Sequence, residues 1–234
     1  MCTQKTLADE SSKPLKAIIE RFCIVVIFGI AFGYIEAAVV VYLRAIFHPE
    51  GFNFPLANIG TILQQKPLLL TEIGREAATI VLIFTGACLF GRNRRQRSAY
   101  FLTIFAIWDI FYYVWLKVLI DWPDSIMDWD ILFLIPGTWA SPVLYPVLIS
   151  ITMLIFAAAI LYRDARGKSI KVTPADWLAF FVAAIIVVVS FYITGLHITE
   201  NDYKSYFYWP LFAAGLLLAI GMFLKCLLRS KERF

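Results

Sequence analysis

Six runs of about 20 mainly apolar residues constrain this chain more than any other feature. They occupy residues 20–46, 68–91, 98–120, 141–162, 175–197 and 206–228. A helix rises 1.5 Å per residue, so each run, once helical, can cross the roughly 30 Å hydrocarbon core of a bilayer. No water is present there to satisfy peptide groups, and a helix satisfies its own. The 234 residues are 61% apolar, against about 45–50% in a soluble domain. Mean hydropathy is +0.75. The chain therefore reads as an all-α, polytopic integral membrane protein with six transmembrane helices. The expected parts are a polar N-terminal tail over 1–16, a single six-helix membrane domain over 17–228, and a basic tail over 229–234. Lys13, Lys16 and Arg21 before the first run imitate a signal peptide. That run continues past Glu36 to Phe47, however, which is too long for an h-region, and Ala37-Ala38 is a poor cleavage site.

Orientation follows from counting basic residues. Sixteen of the 21 lie at one side: before and in the first turn of segment one, between segments two and three, between four and five, and in the last turn of six and after it. The exceptions are Arg44, Lys66, Arg75, Lys117 and Lys204. Both termini are expected to be cytoplasmic, in the inner membrane of a bacterium. The net charge of +4 is a product of this bias, so it does not point to nucleic acid. The Gly91–Arg97 run reads as a topology determinant touching anionic lipid. Cys2, Cys23, Cys88 and Cys226 all map to the cytoplasmic side, which argues against an external disulfide framework. Thr173-Pro174 with Asp176, and Ser141-Pro142, read as helix starts.

The strongest functional clue is acidic. Glu36 lies in segment one, Glu72 and Glu76 open segment two, and Asp109 is in the middle of segment three. A carboxylate at a helix centre in hydrocarbon costs about 2.5–3.5 kcal/mol even on a lenient scale, so such groups face the bundle interior, pair, or act. Helical spacing aligns Glu72, Arg75, Glu76 and Thr79 on one stripe, and Asp109, Tyr113 and Lys117 on another. Gly29, Gly33 and Ala37 form a small-residue ridge beside Glu36. The topology brings Glu36, Arg44, Glu72, Arg75, Glu76, Asp109 and Lys117 into the outer half of the first three helices. Four acids against three bases leave one negative charge, to be met by a proton, a cation or a cationic ligand. The alternatives are a buried ion-pair network that fixes helix packing, and a ligand- or proton-binding site that includes Tyr113 and is open to the outside.

The outer loops are rich in Pro, Gly and aromatic residues. The loop over 121–140 carries Trp122, Asp128, Trp129, Asp130 and Trp139. Its apolar stretch Ile131–Ile135 is too short to span. It reads as an interfacial or re-entrant element, a lid over a cavity or a docking loop.

No motif implies a cofactor. There is no CxxC and no zinc spacing, no Glu-x-x-His pair for di-iron, no Gly-x-Ser-x-Gly and no phosphate loop. His48 and His197 are peripheral to the segments. Metal ligation stays undetermined. Three functions remain open. The first is a transporter or solute-capture protein for a small cationic solute, an ion or a proton. In outline it resembles the six-helix capture subunits of energy-coupling-factor transporters, a likeness of architecture that carries no residue match. The second is a non-catalytic subunit bound to a partner membrane subunit or to further copies of itself. The third is an intramembrane lipid-processing enzyme, with Glu76 or Asp109 as base and Arg75 holding an anionic head group.

Overall fold

The structure, a computed structural model, describes residues 2–49, 51–56, 66–168 and 170–229. Parts of the expected loop over 47–67 and most of the basic tail, including Lys231 and Arg233, lie outside the described residues. Six helices are long and apolar enough to cross a membrane, so the chain is a multi-pass membrane protein by fold. They are α1 (Cys2–Phe47), α2 (Lys66–Phe90), α3 (Arg94–Ile120), α4 (Leu144–Ala165), α5 (Pro174–Gly195) and α6 (Trp209–Arg229). The helix of α1 starts at Cys2, well before the apolar run, so the expected tail is continuous with the first span.

Helix α3 is the hub, packing against α1, α2 and α4, while α5 and α6 form a second, mutually packed pair. The α1–α3 contact uses the small-residue ridge. A methyl on Gly29 would meet Ile107 Cγ2 at 2.8 Å, and one on Gly33 would meet the Trp108 carbonyl at 2.9 Å. Ala37 is fully buried. Val25, Ile83, Ala99, Tyr100, Ile104 and Ala157 fill the core between these helices. Large side chains such as Ile27, Leu89, Phe181 and Leu217 point outward, as expected where the solvent is lipid.

Two helix starts show how local chemistry decides boundaries. Thr173 and Asp176 form a reciprocal capping box with Pro174 just inside the helix, as expected for α5. Ser141-Pro142 does not start α4. These residues belong to a strand, Ser141 Oγ donates to the Pro142 carbonyl at 3.0 Å, and α4 begins at Leu144. The α3 helix ends at Asp121 in the left-handed region (φ 53°), a conformation that Asp tolerates better than most side chains.

The loop between α3 and α4 contains the fold's only β-structure among the described residues, an antiparallel hairpin of β1 (Trp129–Phe133) and β2 (Trp139–Pro142). Its register pairs Asp130 with Ser141 and Ile131 with Ala140, with a bulge before Phe133. The hairpin lies on the C-terminal end of α5. A Cβ added at Gly195 would fall 1.8 Å from the Thr138 carbonyl, so only glycine admits that approach. Aromatic contacts close this end of the bundle, among them Trp129 with Tyr203 at 4.9 Å and Phe54 with Tyr203 at 5.4 Å.

Candidate functional site

The hairpin end of the bundle holds a layered set of charged side chains. Helix α1 contributes Glu36 and Arg44, one turn-pair apart on its buried face. Helix α2 contributes Glu72, Arg75, Glu76 and Thr79 from its first turns, because a run of i, i+3, i+4 and i+7 positions shares one stripe. Arg75 joins the two helices. Its Nη1 donates to Glu36 Oε1 and its Nε to Glu72 Oε2 at 2.8 Å. Thr79 Oγ1 donates to Glu36 Oε2 at 3.4 Å.

Glu76 is held differently. Both of its oxygens accept from the backbone N–H of Leu134, at 3.0 and 2.9 Å. The turn of the hairpin thus comes down onto α2 and is anchored by a buried carboxylate. Asp109 of α3 accepts from Ser150 Oγ of α4 at 2.7 Å. No ion pair joins Glu76 or Asp109 to a basic side chain among the described residues.

Asp130 is the residue that spacing could not assign. It is 2% exposed, and it accepts from Arg44 Nη2 at 3.1 Å and from Tyr112 Oη at 3.2 Å. Arg44 is in turn sandwiched between the rings of Trp122 (3.8 Å) and Phe52 (4.0 Å). Burial pushes the Asp130 carboxyl above its usual range, against the pull of the Arg44 guanidinium and the Tyr112 hydroxyl. Burial, aided by Arg44, holds the His48 imidazole below its ordinary value.

These groups line one cavity of about 1320 Å³. Glu36, Arg44, Glu72, Arg75, Glu76, Thr79, Asp109, Tyr112, Tyr113 and Asp130 all contribute to its wall. Trp139 also lines it, whereas Trp122, Asp128 and Trp129 support the loop from behind. Asp128 caps its own turn by accepting from the backbone N–H groups of Asp124 and Ser125.

Lys117 does not join the cluster. It is half-exposed and pairs with Asp121 at 2.7 Å and Asp124 at 3.8 Å, away from the cavity. The reason is reach and cost. An ammonium on a flexible stem near a helix end goes to water and to an exposed acid. With Lys117 gone and Asp130 added, the hairpin end of the wall carries five carboxylates against the guanidiniums of Arg44 and Arg75, a formal excess of three negative charges there if all are ionised. The other three lining arginines, Arg94, Arg95 and Arg97, stand at the opposite end. The nearest available signal for Asp130 was its place between Trp129 and the apolar stretch Ile131–Ile135.

The opposite end of the bundle has a separate set of polar contacts. Asp164 at the end of α4 accepts from Asn93, Arg95 and Gln96 at the start of α3. Asp176 pairs with Arg229 and, at 3.9 Å, with Lys225. These contacts tie helix ends together. Among the described residues no three His, Cys, Asp or Glu side chains stand close enough to hold a metal ion. His197 stacks on Tyr206 at 3.7 Å and contacts Glu200 at 2.8 Å. The chain matches no protein-family model, no curated protein and no solved structure.

Proposed function

We propose that this is a membrane transport or solute-capture protein that binds a positively charged solute, a cation or a proton at the carboxylate end of its cavity. The observation that carries the reading is the hairpin end of the wall. Three transmembrane helices and the hairpin contribute five carboxylates there, accompanied by the guanidiniums of Arg44 and Arg75, while Arg94, Arg95 and Arg97 line the same cavity at its opposite end, at the start of α3. A network that existed only to pack helices would cancel its own charge, because an uncompensated carboxylate in low dielectric is costly. Here Glu76 and Asp109 have neutral donors alone, so a positive charge arriving from outside has a place to go.

The charge bias supports orienting the hairpin end outward, with both termini in the cytoplasm of a bacterial cell. In that orientation the hairpin is a re-entrant lid. Its Leu134 N–H contact with Glu76 would be the one that changes when a cation takes the carboxylate. A partner membrane subunit, or further copies of the chain, would then supply energy coupling.

The test is uptake and binding with protein reconstituted in liposomes. Glu36→Gln and Asp109→Asn are expected to abolish uptake while leaving the yield of monodisperse protein unchanged. Normal uptake by both variants would refute the reading.

A further inference from the structure

The cavity extends far beyond the carboxylates. At about 1320 Å³ it exceeds the roughly 300–1,000 Å³ of ordinary small-molecule sites. Below the charged end its wall is formed by Phe101 and Phe105 of α3, Met153 and Phe156 of α4, Phe180 of α5 and Phe223 of α6. A hydrated ion or a small polar cation has no favourable contact with that stretch. An apolar chain does.

An independent feature lies between the two zones. Trp108 and Trp139 flank Phe133, with ring centroids 6.2 and 5.4 Å from it. Trp108 is 6% exposed. The indole Nε1 of each is buried and has no hydrogen-bond partner among the described residues, and both residues line the cavity. An indole N–H is a donor only, and burying it without an acceptor is unfavourable. Trp108, Trp139 and Asp109 line the same cavity, so donors lacking an acceptor share one wall with a carboxylate that has no basic partner among the described residues.

We propose that the occupant is an amphipathic cation: a long-chain amine or quaternary ammonium compound with an oxygen acceptor close to its nitrogen. The nitrogen sits among Glu76, Asp109 and Asp130, with Tyr112 and Tyr113 offering ring faces. The oxygen accepts from Trp108 or Trp139. The chain lies along the aromatic stretch toward Phe223. An anionic amphiphile is disfavoured at the carboxylate end. At the other end, of the three arginines that line the cavity, Arg95 is already paired with Asp164, Arg97 donates to the Gly91 carbonyl, and Arg94 is exposed. This proposal rests on reading the cavity as a cation site.

The experiment uses the full chain in phosphatidylcholine nanodiscs, with heat of binding measured against empty discs. The probes are lauroylcholine (chain, cation and carbonyl), dodecyltrimethylammonium (chain and cation), choline (cation alone) and laurate (chain and anion). Lauroylcholine is expected to bind at least about tenfold tighter than choline, since every buried methylene adds affinity. Asp109→Asn should weaken both long-chain cations. Trp108→Phe, or Trp139→Phe should the first fail to fold, should weaken lauroylcholine by about three- to tenfold and leave dodecyltrimethylammonium unchanged. Choline binding as tightly as lauroylcholine would overturn the inference and leave the cation site standing. Laurate binding in preference would overturn both. Equal weakening of the two long-chain cations by both tryptophan variants would overturn the role of the acceptor.

Discussion

Arg75 stands between two carboxylates, Glu36 and Glu72, whereas Arg44 stands between two aromatic rings and reaches a single carboxylate, Asp130. The two guanidiniums therefore fail differently when removed. Arg75→Gln leaves Glu36 and Glu72 facing each other without a cation, and breaking a buried pair this way costs about 3–5 kcal/mol. Thermal unfolding in detergent should show a clear drop for Arg75→Gln and partial recovery for Arg75→Gln with Glu36→Gln. An unchanged midpoint for the single variant would count against the pairing. Tyr112→Phe removes only a hydrogen bond to a charged acceptor, an effect of about 1.5–3 kcal/mol, and should be the milder change in the same assay. Outside the spans, His197 and then Tyr206 hold the Glu200 carboxyl below its usual range. Its contribution is thus complete above the ordinary Glu value of about 4.3, and it is lost as pH falls through the lowered value. Glu200→Gln should remove that acid-side dependence from hydrogen exchange over residues 196–208, and an equal pH profile in both proteins would refute it. At this scale, Glu36, Glu72, Arg75, Glu76 and Asp109 were legible from spacing, because helical periodicity puts them on inward stripes. Asp130 and Lys117 were not. A loop carboxylate is positioned by its fold, and a lysine at a helix end chooses between two environments that spacing does not distinguish.

At the scale of the element, close approach is the recurring device. Gly33 has a backbone carbonyl of α3 where a Cβ would be, so α1 and α3 touch directly. Gly33→Val forces the helices apart, for about 1–3 kcal/mol of overpacking, and it also displaces Glu36 from Arg75. It should lower both stability and uptake, whereas Gly74→Ala, with nothing within 4 Å of its added Cβ, should change neither. Uptake lost without loss of stability would mean that the ridge is not a packing element. The caps of α5 could be read in advance because Thr, Pro and Asp act within one turn. Ser141-Pro142 carries the hydroxyl and the proline of that pattern but has Leu144 where α5 has its acid, and β2 claims it. Pairing of Asp130 with Ser141 and the approach to Gly195 are tertiary facts that outweigh a weak N-terminal preference.

For the whole molecule, the two ends of the bundle have distinct chemistry. One end carries the hairpin, an aromatic layer and the carboxylates. The other carries Asp164 and Asp176, engaged with basic side chains. If the charge bias sets orientation, then in a cysteine-free background Ser125→Cys should react with an impermeant maleimide in intact cells, and Arg92→Cys only after permeabilisation. Reaction of both from the same side would reverse or abolish the assigned topology. Length and apolarity alone were enough to specify six spanning helices, because in hydrocarbon the backbone has almost no other way to satisfy itself. Spacing was enough to turn most of the acids inward. The cavity, the hairpin that bonds to Glu76, the choice of Asp130 over Lys117 and the unpartnered indoles all depended on tertiary packing. Each requires groups distant in sequence to meet, and pairwise geometry across helices leaves no trace in the periodicity of any one of them.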